Sequence, residues 1–160
     1  MTDLPPAPDE ATRRSVRALW VSFTAVVAVA AVVVPFVVPD PGSTVPAVLP
    51  VLLAAAAGAG ALVGIVALDR GLTATTPRDD RAAVAELRSR LVMQAAIAEA
   101  PALLGVALAV VLGPPVTATA GALPALVGLL LVRPGAARLA RLDAAWQAAG
   151  ADVSLRRSLT

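Results

Sequence analysis

Residues 91–112 read LVMQAAIAEAPALLGVALAVVL, and this run decides the reading of the chain. It is apolar over a length that crosses about 30 Å of hydrocarbon as a helix, yet it holds a carboxylate, Glu99, near its middle. An ionisable group inside a span costs roughly 2.5–3.5 kcal/mol on insertion scales and is a functional-site hypothesis by default.

Working outward, three more apolar blocks fall at about residues 18–38, 46–68 and 115–132, the last being the shortest. They account for an apolar share of 58%, against about 45–50% in an ordinary soluble domain, and for a mean hydropathy of +0.82. The expected fold is therefore an all-α integral membrane protein. Four transmembrane helices form two antiparallel hairpins, and a short C-terminal amphipathic helix follows. The expected divisions are a flexible cytosolic tail over 1–16, a transmembrane domain over 17–135, a cytosolic amphipathic helix over 136–149 and a flexible tail over 150–160.

Composition removes several chemistries. All thirteen basic residues are Arg, and His, Cys, Lys, Tyr and Asn are absent. Without His or Cys there is no disulfide, no zinc site of the usual kind and no Ser-His or Cys-His nucleophile pair. No metal or other cofactor is expected. A pI near 10.9 does not make this a nucleic-acid binder. The net charge is only +2 and aromatic residues are 2% of the chain, whereas single strands are held on basic grooves lined with aromatic platforms. The arginines have a topological explanation instead: they fall in the N-terminal tail, the 69–90 loop and the C-terminal segment, while the other two loops carry only Asp40. The positive-inside rule then places both termini in the cytosol, for a multi-pass protein of a bacterial inner membrane.

Local signals mark the helix ends. Trp20 sits where an interfacial anchor belongs, Pro39 and Pro41 stop the first helix, and Ser43 or Thr44 can cap the second ahead of Pro46. The short PDPGST linker implies that helices one and two form a hairpin. Thr76-Pro77-Arg78-Asp79-Asp80 reads as the start of the third helix with Thr76 as cap, and Glu86 is spaced to pair with Arg90. Gly113-Pro114-Pro115 turns into the fourth helix, where Pro124 is expected to bend the backbone, and Arg133-Pro134-Gly135 ends it. In AARLARLDAAWQAA, Leu139, Leu142 and Trp146 share one side and need an apolar partner, either anionic lipid or the face of helix three carrying Val84 and Leu87. A faint repeat, residues 61–64 and 125–128 both reading ALVG, is consistent with two hairpins related by an axis along the membrane normal.

Small residues predict the packing faces. Ala56, Gly60 and Gly64 recur at spacing four in the second helix, and small residues at that spacing let backbones approach. In the third helix Ala95, Ala96 and Ala102 share a stripe with Glu99. Counting about 1.5 Å per residue from the cytosolic ends brings Glu99, Gly60 and Thr24 to similar depth. Pro101 leaves the Ile97 carbonyl without its usual donor. The candidate proton or cation site is thus Glu99, Thr24, Gly60, Ile97 and Pro101, with Glu99 as the uncharged acid, since no Arg lies in any span and desolvation disfavours the charged form.

The run LRSRLVMQAAIAEAPALLGVALA, residues 87–109, resembles the second helix of the proteolipid c subunit of rotary ATP synthases. There a mid-membrane carboxylate is followed by Ala and, six residues on, by Gly, matched here by Glu99, Ala100 and Gly105. Residues 54–68 resemble the Gly-rich first helix of that family, so the likeness spans about 54–109. It implies a carboxylate that responds to a proton or monovalent cation. Two functional expectations follow. One is a non-catalytic helical accessory or assembly subunit, partnered by the lipid bilayer and by a homo-oligomer or larger membrane complex. The other is a proteolipid-like protein that binds or moves a proton or cation at Glu99. An enzyme is not expected, because the spans offer almost no polar groups to hold a substrate.

Overall fold

In hydrocarbon every backbone polar group needs an internal partner, so long apolar runs become helices. The computed structural model describes residues 10–38 and 46–155, and five helices occur there: α1 (Glu10–Val37), α2 (Val48–Thr73), α3 (Asp80–Leu112), α4 (Val116–Leu131) and α5 (Ala136–Ala148). No strand occurs among the described residues. Residues 17–37 of α1, and α2 and α3, are each long and apolar enough to cross a membrane. The pair α4 and α5, bent by 57°, supplies a fourth span if taken together. The linker caps Ser43 and Thr44 and the outermost tail segments lie outside the described residues.

Several boundaries differ from the sequence reading. Helix α1 begins at Glu10, within the segment read as a tail. The cap of α3 is Asp79, not Thr76: its side chain accepts from the Ala82 N–H at 2.7 Å. A carboxylate caps as well as a hydroxyl and also meets the positive end of the helix dipole. At 33 residues and about 1.5 Å each, α3 runs about 50 Å, so it overshoots the hydrocarbon. Its first turns carry Arg81, Glu86, Arg88 and Arg90, with Glu86 accepting from Arg90 Nε at 2.9 Å as the spacing predicts.

The tightest pair is α3 with α4. A Cβ built on Gly121 would lie 2.1 Å from the Pro101 carbonyl oxygen, and one on Gly105 would lie 2.7 Å from that of Thr117. Both positions therefore need a residue without a side chain. Helix α2 packs on one side of this pair, with Gly58 receiving the Pro124 ring at 2.4 Å from its virtual Cβ and Ile65 meeting Gly128. Helix α1 packs on α3 and α4, not along α2. The two helices read as a hairpin from the short linker are thus not packing partners, and within the ALVG repeat Gly128 is buried against Ile65 and Ala98 whereas Gly64 is only half-buried. The reason is visible in α1 itself. Trp20 donates its indole N–H to the Leu129 carbonyl of α4 at 2.8 Å, and Val27 is fully buried in a core with Ile65, Ala95, Ala98, Ala102, Ala122, Ala125 and Leu129.

The expected small-residue face of α2 is also corrected. Ala56 and Gly60 face outward and a Cβ on Gly60 meets nothing within 4 Å, while Gly64 makes only ordinary contact with Ile97 at 3.6 Å. The buried stripe runs through Pro50, Ala54, Gly58, Ile65 and Leu72, two residues out of register. In AAAAGAG small residues occupy every face, and the Pro124 ring of α4 selects the face that holds Gly58. On α3, Ala95 and Ala102 are buried as expected, whereas Ala96 is exposed.

A second core lies beyond the spans. Leu139, Leu142 and Trp146 of α5 pack with Leu72, Ala83, Val84 and Leu87, so the partner of the amphipathic helix is the base of α2 and α3. Val153 and Leu155 complete this core, so the first part of the segment read as a polar tail is folded down. Asp143 accepts from the Leu155 N–H at 2.6 Å and Asp80 from the Ser154 N–H at 2.9 Å, which hold it there.

Candidate functional site

Two places in this bundle put polar groups where apolar contact is the rule. The first joins the two cores. Gln94 of α3 is fully buried; its amide donates to the Ile65 carbonyl of α2 at 3.2 Å and its oxygen accepts from Arg138 Nη2 at 2.6 Å. The same nitrogen donates to Asp69 Oδ1 at 2.9 Å, and Nη1 donates to the Val132 carbonyl at the end of α4. Arg141 closes the other oxygen of Asp69 from the solvent side. One guanidinium thereby ties α2, α3, α4 and α5 together. Removing one partner of a fully buried ion pair costs about 3–5 kcal/mol; with the Asp69 side chain 23% exposed that is an upper bound here, and the cluster holds α5 under the bundle. Its carboxylate and amide are occupied by these partners, which leaves neither as a free base or nucleophile. Arg138 Nε and Thr117 Oγ1 are the buried side-chain atoms without a partner among the described residues.

Sequence reasoning missed this cluster. Asp69 reads as a helix end and Arg138 as one charge of an amphipathic face. Gln94 is the available signal, since an amide inside an apolar run must find both donor and acceptor partners.

The second place is Glu99. It is half-buried and makes no hydrogen bond or ion pair among the described residues. The residues expected around it are dispersed. Thr24 donates to the Trp20 carbonyl of its own helix at 2.8 Å, and Gly60 opens away from the bundle. Ile97 points to Gly64 of α2, and the Pro101 carbonyl faces Gly121 of α4. Two residues along a helix differ by about 200° in direction, so Glu99 lies on the flank of α3 turned away from α2. Ala96, one turn before it on that flank, is small and exposed, as is the adjoining Ala100, about 100° further round the helix.

Elsewhere the described residues offer little that would hold a substrate. An open groove of about 280 Å³ lies over the α2–α3 connection, lined by Thr75, Thr76, Pro77, Arg78, Ala82 and Glu86. No group of three acidic, His or Cys residues converges among the described residues. Compared with models of known protein families, with characterised proteins and with solved structures, the chain matches none.

Proposed function

We propose that this chain is a non-catalytic multi-pass protein of the bacterial inner membrane, with both termini cytosolic, that acts as an assembly subunit through the Glu99 flank of α3. One observation carries the reading: a carboxyl in the apolar part of α3 is left half-exposed with no polar partner among the described residues of its own bundle. In hydrocarbon such a group finds a partner on another chain, and small residues beside it let that chain approach. Ala96 and Ala100 provide that approach. Because the sequence has no cysteine, single thiols report cleanly. Ala100→Cys should cross-link to a second chain in native membranes, Val127→Cys on exposed α4 surface should not, and Glu99→Leu added to Ala100→Cys should abolish the adduct. Equal cross-linking at both positions would remove the reading.

The same unpartnered carboxyl favours a second reading, in line with the c-subunit resemblance, in which Glu99 binds or passes a proton or monovalent cation. Dicyclohexylcarbodiimide separates the two. Selective labelling of Glu99 that sodium ion or high pH suppresses belongs to ion binding, and Glu99→Gln then loses transport while keeping the fold.

A further inference from the structure

Where α1 enters the bundle and α4 leaves it, two arginines neighbour Trp20, one on its own helix and one after α4. Arg17 is the first residue of the apolar span of α1, and Arg133 follows the end of α4 by two residues. The indole bond from Trp20 to Leu129 at 2.8 Å ties this part of α1 to the last turn of α4. Arg133 lies over the Trp20 ring, 5.6 Å from its centroid, and Arg17 stands one turn before Trp20, at the spacing that makes helix residues neighbours. Both arginines are exposed, and neither has an acidic partner among the described residues.

The chemistry of this shelf is specific. A guanidinium held near an indole face by cation–π attraction keeps its N–H donors available, and their fork matches a phosphate in two-point contact. The cation–π contact therefore places Arg133 beside Trp20 without occupying its donors. Carbonyls at the end of α4 would repel an anion, but three of those nearest the shelf already accept a donor: Leu129 from Trp20, Leu130 from the Arg133 N–H and Val132 from Arg138. Tryptophan at this level marks the headgroup layer, and basic clusters between helices at that layer hold anionic headgroups.

We infer that the Arg17–Trp20–Arg133 shelf is a binding site for the phosphate of an anionic membrane phospholipid. It stands independently of the Glu99 flank, which lies on a different helix, further along the apolar part of the bundle. The test uses the full chain in mild detergent, presented with equimolar phosphatidylglycerol and phosphatidylcholine and read by native mass spectrometry. Phosphatidylglycerol adducts should predominate. Arg133→Gln should reduce that preference about fivefold, the weight of one surface arginine, and Arg17→Gln with Arg133→Gln should abolish it. Arg81→Gln with Arg88→Gln removes the same charge from the exposed base of α3 and should leave the preference intact. Equal adducts of the two lipids on the wild-type chain would overturn the inference, as would equal losses in the two double variants. Displacement of the lipid by free glycerol phosphate would overturn it as well, since the site would then take soluble phosphate. If the double variant fails to fold, Arg133→Gln alone decides, because that side chain is exposed and no other described residue hydrogen-bonds to it.

Discussion

Glycine has two distinct meanings in this chain, and a single added methyl group separates them. At Gly121 a Cβ would stand 2.1 Å from the Pro101 oxygen, with backbone on both sides, so Gly121→Ala must push α3 and α4 apart. Overpacking of that kind costs about 1–3 kcal/mol, and more where backbone cannot yield. At Gly60 the same change meets open space and gains helix propensity worth up to about 1 kcal/mol. Thermal unfolding in detergent should rank Gly121→Ala well below wild type and Gly60→Ala at or above it. The opposite ranking would mean that Gly60 and Gly64, the pair read from the sequence, form the real contact. The residue pattern alone does not distinguish them, because all these glycines sit in small-residue runs of nearly the same spacing.

Among the elements, α5 shows how a polar helix is retained beneath an apolar bundle. Trp146 is fully buried, and its indole N–H donates to the Leu72 carbonyl at the end of α2, 2.9 Å away. Together with the Arg138 cluster this gives α5 one apolar and one ionic attachment to the same base. Trp146→Ala removes the larger apolar contact, for which core Trp truncations cost about 3–5 kcal/mol. Hydrogen exchange should then become fast across residues 136–155 while α3 and α4 stay protected, since local opening reports local stability. Loss of protection throughout the chain would instead show that α5 and the spans unfold as one unit. The amphipathic face was legible from Leu139, Leu142 and Trp146. That it docks on protein was not, because an apolar stripe is equally suited to lipid.

For the molecule as a whole, the proposed orientation places the α5 core and the base of α3 in the cytosol and the α3–α4 turn outside. Val116 is exposed just after that turn and Asp152 is exposed beside the α5 core. In the cysteine-free chain, Val116→Cys should react with an impermeant thiol reagent added to intact cells, and Asp152→Cys only after the membrane is opened. The reverse pattern would invert the protein in the bilayer and require the arginine-rich ends to have been translocated.

The sequence by itself determined the helical class, the approximate ends of the helices, the amphipathic face of α5 and the position of a lone carboxyl within an apolar run. These follow from composition and periodicity, which are properties of neighbouring residues. Only the tertiary structure decided which face of each helix turns inward. Rotating α2 by two residues exchanges Gly60 for Gly58, and the choice is made by the Pro124 ring on a different helix. Likewise, Arg138 meets Asp69 and Gln94 across separations of 69 and 44 residues. Those bonds depend on the relative rotation of four helices, which no local pattern encodes. Glu99 stands between the two cases: its position in the run was readable, but its lack of a partner within the bundle emerged only once the neighbouring helices were in place.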